Sequence, residues 1–233
     1  MEIKVIGSGS SGNAYRISDS ETSLLLDAGL PIKVIKQALD FRVRDISGCL
    51  ITHSHGDHSK AAGDLAKAGI DIYTSKGTID ACRLAGHRIK AIAALREFTV
   101  GTFTVLPFDV QHDAPESLGF LLQSRASGEK LLYFTDTYYI KYKFKGLTHI
   151  MGECNYSMDI VEQSVRHGYI PPELVPRLVK SHMSIEHFID LLKANDLRQV
   201  KQIYLLHLSN NNSDAERFKA AVQKATGTEV YVC

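Results

Sequence analysis

Within six residues, His53-Ser54-His55-Gly56-Asp57-His58 presents three imidazoles and a carboxylate. The apolar run Cys49-Leu50-Ile51 before them is of strand type, and Ala61 to Ala68 after them has a helical pattern, so the motif falls on a strand-to-helix loop. A short loop leaving a buried strand can aim several side chains at one point with little extra ordering of the chain. Imidazole and carboxylate together suit Zn²⁺, Mn²⁺ or Fe²⁺. The plain alternative is a polar loop of solvated histidines, and four ligand-type residues at such close spacing argue against it.

The remaining composition is that of an ordinary folded protein. The chain has 233 residues, 44% hydrophobic and 23% charged, with no linker-like or low-complexity tract, which predicts a single domain over residues 1–233. Met1 to Ile6 runs directly into strand-like alternation without a signal-peptide pattern, and no apolar run approaches a membrane span; the expectation is a cytoplasmic protein with no membrane partner. Cys49, Cys82, Cys154 and Cys233 lack C-x-x-C spacing and read as reduced thiols. A net charge of +1 gives the whole molecule no bias toward nucleic acid, so a polyanion must be held locally. Lys141, Lys143 and Lys145 form one candidate patch, and Arg166, His167, Arg177 and Lys180 another; solvated faces are the plain reading of both.

Taken in order, Glu2 to Ile6 reads as a strand and Gly7 to Asn13 as a Gly/Ser loop that lets backbone approach a ligand, without dinucleotide-fingerprint spacing. Ala14–Ile17 and Ser23–Leu26 pair around a turn, and Asp27 ends the second strand, where an acid is equally a turn former. Pro31 is expected at N1 of a short helix. After the histidine loop come a helix over 61–68, a strand over 70–73 and a helix from Ser75 to about Ala85. Hairpins over 97–110 and 119–135 deliver His112 and Asp136 to strand ends. A strand over 147–152 leads to Glu153-Cys154-Asn155, and helices follow over 158–166 and from Ser184. A strand over 200–206 delivers His207, and a helix from Asp214 to Ala225 and a strand over 229–232 close the chain.

His112, Asp136 and His207 each follow an apolar strand, and strand ends on one edge of a sheet converge. With His53, His55, Asp57 and His58 they make seven donors, too many for one tetrahedral site and suited to two metals sharing a carboxylate. Such a site lowers the pKa of water and offers a second Lewis-acid position, which fits hydrolysis.

The H-x-H-x-D-H loop, with Asp27 before it and His112, Asp136 and His207 after it, resembles the metallo-β-lactamase superfamily, and within it the bacterial YycJ (WalJ)-like hydrolases. The likeness covers nearly the whole chain: Gly7 to Asn13, Leu25 to Gly29, His112-Asp113-Ala114, Asp136-Thr137, Glu153-Cys154-Asn155, His182-Met183-Ser184 and His207-Leu208-Ser209 match in order. It implies an α/β fold, the four-layer αββα metallo-β-lactamase sandwich. It further implies that His53, His55 and His112 hold one metal and Asp57, His58 and His207 the other, that Asp136 bridges them, and that Asp27 orients the histidine loop from behind. Two divalent ions are expected, zinc or manganese, with iron compatible with the same donors. Asp57 and His182 are the catalytic candidates; His182 contacts the scissile phosphate or acts as general acid, a structural helix-entry role being equally open. Ser10, Asn13, Asn155 and Ser209 are the substrate-binding candidates. The chain departs from the group at Ile185, where Asn is common, and at Tyr156, where His is common.

Asp136 stands where zinc β-lactamases of the commonest type carry Cys, and His55 stands where flavodiiron proteins carry an acid, so neither type fits. Glyoxalase-like thioesterases share the ligands and differ outside the motifs. The resemblance to YycJ-like proteins implies a dinuclear-metal phosphodiester hydrolase, a 5′ to 3′ exonuclease on double-stranded DNA in which metal-held hydroxide attacks phosphorus. The near-zero charge favours the main rival, a phosphodiesterase degrading a cyclic signalling or immune nucleotide, which needs only the site itself. A third reading is a non-catalytic protein whose metals hold loops together. Nucleic acid or a nucleotide is thus the expected partner, and self-association into a homo-oligomer is left open.

Overall fold

The computed structural model describes residues 1–233, which fall into two compact units: Met1–Asp109 with Ala114–Glu129, and Val110–Asp113 with Lys130–Cys233.

The first unit contains β1 (Glu2–Gly7), β2 (Ala14–Ser18), β3 (Ser23–Leu26), α1 (Ile32–Ala38), β4 (Ile46–Leu50), α2 (Gly56–Ser59), α3 (Ala62–Lys67), β5 (Ile72–Ser75), α4 (Lys76–Ala81) and β6 (Ile89–Ile92), then β7 (Phe98–Val100), β8 (Phe103–Asp109) and β9 (Leu118–Ser124). Strands β1 to β6 form one sheet in sequence order. The pairs β1–β2 and β2–β3 are antiparallel, as the turn between Ser18 and Ser23 demands; from β3 onward the pairs are parallel, each crossover carrying helical residues. Leu25, Cys49 and Ile72 from the strands, Ile51 just beyond β4, and Ile35 and Leu65 from α1 and α3 are fully buried together. Each such aliphatic chain removed from water contributes about 1.5–3 kcal/mol. Strands β7, β8 and β9 are antiparallel neighbours.

The second unit contains β10 (Lys130–Phe134), β11 (His149–Glu153), α5 (Met158–Arg166), α6 (Val175–Ser181), α7 (Ile185–Lys193), β12 (Gln202–Leu206), α8 (Ala215–Thr226) and β13 (Glu229–Val232). Strands β10 to β13 are parallel neighbours, and β10, β11 and β12 are largely buried on both faces, which explains their mostly apolar composition. Helix α7 begins at Ser184, whose hydroxyl accepts from His187 N at 3.2 Å. A cap of this kind is worth about 1 kcal/mol, whereas burial of Ile185, Phe188 and Leu192 contributes several times that, so packing holds the helix and the cap sets where it starts. No helix is long and apolar enough to cross a membrane.

Several expected boundaries shift, each for a local reason. Pro31 is the N-cap of α1 rather than N1: its backbone is extended (ψ 139°) and its carbonyl already accepts from Ile35 N. Ile70 is tied back to Leu65 O, so β5 starts two residues later than expected, at Ile72. Helix α4 stops at Ala81, and Arg83 beyond it takes a left-handed φ of 52°. Strand β11 runs over 149–153 and so includes Glu153. The sequence pattern predicts neither strand β6 nor helix α6.

Candidate metal centre

The histidine loop is held by backbone before any side chain is considered. Leu26 pairs with Leu50 in the parallel β3–β4 ladder, and Asp27 N donates to Leu50 O at 2.8 Å, carrying the register just past the strand. Asp27 then turns left-handed (φ 57°), which aims its carboxylate at the loop following β4. There it accepts from Thr52 N at 2.8 Å, from Thr52 Oγ1 at 3.0 Å, and faces His58 Nδ1 at 2.7 Å, with Asp27 and His58 both fully buried. An anion engaged on three sides in this way fixes the imidazole ring and leaves Nε2 as the nitrogen that can serve a ligand role. His53 is oriented similarly by Thr52, 3.0 Å from its Nδ1. His55 opens α2 as its N-cap residue, and His53 Nε2 lies 3.2 Å from His55 Nδ1.

Three further residues, Asn13, Ala28 and Gly29, press this helical turn into place. Asp57 O accepts from Asn13 N at 2.7 Å and Asn13 Nδ2 at 3.2 Å, and His58 O accepts from Ala28 N at 2.8 Å. Gly29 packs so closely that a Cβ there would lie 1.6 Å from Asp57 O, which is why the Leu25-Leu26-Asp27-Ala28-Gly29 motif must end in glycine.

In the second unit the C-terminal ends of β10, β11 and β12 lie side by side, with Phe134 opposite Gly152 and Glu153 opposite Leu206. Just past the first and third of these strands, Asp136 (φ 47°) and His207 (φ 54°) are left-handed, backbone strain of the sort that clusters at functional sites. His207 Nδ1 is 3.0 Å from Asp136 Oδ1 and 3.2 Å from Glu153 Oε1. His182, after α6, places Nδ1 2.5 Å from Glu153 Oε1 and 3.5 Å from Asp136 Oδ1. His112 Nε2 lies 3.9 Å from Asp136 Oδ2 and 3.3 Å from Asp113 Oδ1. Glu153 is fully buried and also accepts from Thr137 N at 3.0 Å and Met183 N at 3.3 Å.

The electrostatics follow from this crowding. Burial opposes a charge on His182, but the Glu153 carboxylate, aided by hydrogen bonds to Asp136 and Glu153, outweighs it and raises the imidazole pKa to about 10. Burial likewise opposes ionisation of Glu153, and the charge of His182 with hydrogen bonds from His182 and His207 nevertheless holds its pKa below the usual value. His182 is thus an imidazolium near neutral pH, held through Nδ1.

Within the second unit, ligand-type atoms of Asp136, Glu153, His182 and His207 all lie within 4.8 Å of one another. The short N–O contacts just described within this second-unit cluster are hydrogen bonds. Each unit carries donors of the imidazole-plus-carboxylate type that a divalent transition metal takes: His53, His55, Asp57 and His58 in the first, His112, Asp136 and His207 in the second.

The substrate-binding candidates are placed differently from one another. Ser10 is exposed on the opening loop. Asn13 is fully buried, its Oδ1 accepting from Gly9 N and Tyr15 Oη and its Nδ2 lying 3.0 Å from His58 Nε2. Asn155 Nδ2 donates to His207 O at 2.7 Å, and Ser209 N donates to Asn155 O at 3.0 Å, so both brace the His207 loop. All four cysteines are free thiols; burial raises the pKa of Cys49 and Cys154 and pushes Cys233 up to about 12.

Glu153 is the functional residue to which sequence reasoning assigned no role. The signal was present, since it is an acid closing an apolar strand like Asp136 and His207, but only its burial and two histidine partners separate it from an ordinary strand terminator.

Comparison with known proteins agrees with this geometry. Residues 22–208 match the model of the beta-lactamase superfamily domain. An exodeoxyribonuclease YycJ of Bacillus anthracis is 30% identical over 96% of this chain and 88% of its own length. An exodeoxyribonuclease WalJ of Streptococcus pneumoniae is 29% identical over 93% of this chain and 84% of its own. The crystal structure of the metallo-β-lactamase fold protein YhfI from Bacillus subtilis superposes with a TM-score of 0.76 at 18% identity, covering 99% of this chain and 95% of that one. The chain therefore belongs to the metallo-β-lactamase superfamily, has its α/β fold of two sheets and flanking helices, and is a hydrolase whose His/Asp clusters are suited to metal ions.

Proposed function

We propose that this chain acts in the cytoplasm, as one domain over residues 1–233, as a two-metal phosphodiester hydrolase on DNA, an exonuclease. The observation that supports the two-metal reading is the donor inventory: His53, His55, Asp57 and His58 on the loop after β4, and His112, Asp136 and His207 after later strands, are more than one tetrahedral site uses. The nuclease reading draws on the names of the YycJ and WalJ relatives.

In this reading His53, His55 and His112 hold one ion, Asp57, His58 and His207 the other, and Asp136 is common to both. Divalent ions bound there supply Lewis acidity toward a phosphoryl oxygen and lower the pKa of water toward neutrality. The chain's own residues do the rest. Asp27 and Thr52 fix the rings of His58 and His53, and Asn13 and Gly29 seat the turn that carries Asp57. His182, gripped at Nδ1 by Glu153, carries its other proton on Nε2 and donates it to the leaving oxygen; general acid catalysis of this kind contributes roughly 10²–10⁴-fold.

The cyclic-nucleotide reading retains one observation in its favour, the net charge of +1. Hydrolysis by Zn²⁺-loaded and Mn²⁺-loaded protein of end-labelled duplex DNA, a cyclic-nucleotide panel and bis(p-nitrophenyl) phosphate separates the readings. Release of mononucleotides from one DNA end is the expected result. Cleavage of a cyclic nucleotide with DNA left intact overturns the nuclease reading, and inertness toward all three leaves a metal-stabilised protein without catalysis.

A further inference from the structure

The segment immediately after Asp136 carries aromatic and basic residues in a pattern the chemistry above does not use. Thr137 is followed by Tyr138-Tyr139-Ile140-Lys141-Tyr142-Lys143-Phe144-Lys145, a stretch without regular secondary structure. It is nonetheless pinned. Ile140 and Phe144 are buried, Thr137 Oγ1 donates to Tyr139 O at 2.9 Å, and Phe144 N donates to Asn195 Oδ1 at 2.6 Å. Between these anchors the polar and aromatic side chains face outward: Tyr138 is 36% and Tyr139 57% exposed, and Lys141, Lys143 and Lys145 are exposed.

Exposing two tyrosines on a fixed backbone costs hydrophobic burial, and it presents flat rings where a solvated loop would carry small polar residues. Two cavities share Tyr138 as a wall. One, of about 330 Å³, is lined by the candidate ligand His112 together with Arg177 and Lys180. The other, of about 340 Å³, is lined by Tyr139, Tyr142, Lys141 and Lys143, together with Met183 and His187. Four basic side chains line the two cavities against two acidic ones, Asp113 and Asp190, and Asp113 is paired with Arg177 at 3.1 Å. The local balance is +2, whereas the whole chain carries only +1.

Cations interleaved with exposed aromatic rings are what unpaired nucleic acid needs: rings stack on bases of any sequence, and lysines follow the phosphates. A duplex offers no free base faces to such rings, and an acidic peptide would leave them unused. We propose that the path from His112 past Tyr138 into the tyrosine-lysine cavity is a track for a few nucleotides of single-stranded nucleic acid, so that the strand reaches the metal centre unpaired. This rests on the nuclease reading of the same centre, and it names the form in which the substrate is held.

The test compares wild type with Tyr138→Ala/Tyr139→Ala, the matching double Phe variant, and Lys141→Gln/Lys143→Gln. Fluorescence anisotropy with a labelled 12-nucleotide oligodeoxythymidine reads binding, and kcat/KM on the same oligonucleotide and on bis(p-nitrophenyl) phosphate reads the chemistry. Stacking is worth roughly 1–3 kcal/mol per base, so the Ala variant should bind at least about tenfold more weakly, and the oligonucleotide-to-ester ratio of kcat/KM should fall to match. The Phe variant should bind like wild type. Loss of two phosphate contacts in the Gln variant should flatten the logarithmic salt dependence by about 1.4. Unchanged oligonucleotide affinity in the Ala variant, equal losses on both substrates, or competition by poly-glutamate as effective as by oligonucleotide would overturn the track. A wild type that cleaves DNA while the tyrosine variants are unaffected refutes the track alone; a wild type that binds the oligonucleotide through the tyrosines yet hydrolyses nothing refutes the nuclease reading alone.

Discussion

Asp27 in the first unit and Glu153 in the second perform one task in two ways. Both are fully buried carboxylates at the C-terminal end of a parallel strand, and both grip histidine through Nδ1. Asp27 serves one imidazole, His58, and its remaining capacity is taken by Thr52, whose hydroxyl sits beside His53. Glu153 serves two imidazoles, His182 and His207, with the carboxylate of Asp136 close by. The first arrangement sets ring orientation. The second also biases charge, because the Glu153 carboxylate favours the protonated form of His182. A strand-end acid can therefore be a positioning device or an electrostatic one, depending on how many charged partners surround it.

The difference can be broken from the Glu153 side with the largest effect. In Glu153→Gln, His182 loses its strongest charge partner and its pKa falls back toward the ordinary 6.5. The sign is fixed by linkage: a histidine whose folded pKa is raised contributes stability below its unfolded pKa, and this is lost as pH rises through about 10. Without Glu153 that contribution largely disappears, and His182 gives up its proton near neutral rather than alkaline pH. The expected result is a kcat at pH 8 reduced by about 10²-fold, with a new alkaline fall in the pH–rate profile between pH 7 and 9. A profile parallel to wild type would mean that Glu153 acts on shape alone.

Gly29 sharpens the comparison by testing the backbone seat of the first unit separately from its carboxylate. Gly29→Ala forces a Cβ into Asp57 O and should lower stability by ~3 kcal/mol in chemical denaturation, with metal affinity reduced as α2 is displaced. Wild-type stability would show that the contact relaxes freely.

Asp27→Asn should have the smallest effect, since the amide retains one oxygen for Thr52 and loses only its anionic hold on His58. Metal affinity should fall about 10–100-fold, measured by competition with a chromogenic chelator, while saturating metal restores turnover. A loss of kcat that metal does not rescue would give Asp27 a role in the chemistry and erase its distinction from Glu153.

Much of this was legible in the chain because local chemistry forces it. The 14–26 hairpin, helix α5 and strand β13 lie where turn residues and apolar periodicity put them. Ser75, Ser184 and Asp214 cap helices as their side chains require, accepting from Thr78, His187 and Arg217 N. The seven ligand-type residues could be named because strand ends are visible in sequence. Strand β6, with the short pattern Ile89-Lys90-Ala91-Ile92, gains its identity only by pairing with β5, and α6 carries Pro176 within a stretch of weak periodicity. Glu153 escaped assignment for a related reason: its role lies in who surrounds it, and His182 and His207 come from 29 and 54 residues further along the chain.

The central claim, that two ions share Asp136, is tested most directly by metal content and turnover of Asp136→Ala beside wild type. Mass-spectrometric metal analysis after loading with zinc or manganese and gel filtration should give two equivalents per chain for wild type and essentially none for the variant, with hydrolysis of DNA and of bis(p-nitrophenyl) phosphate lost. Full metal content or wild-type turnover in Asp136→Ala would contradict the two-metal account.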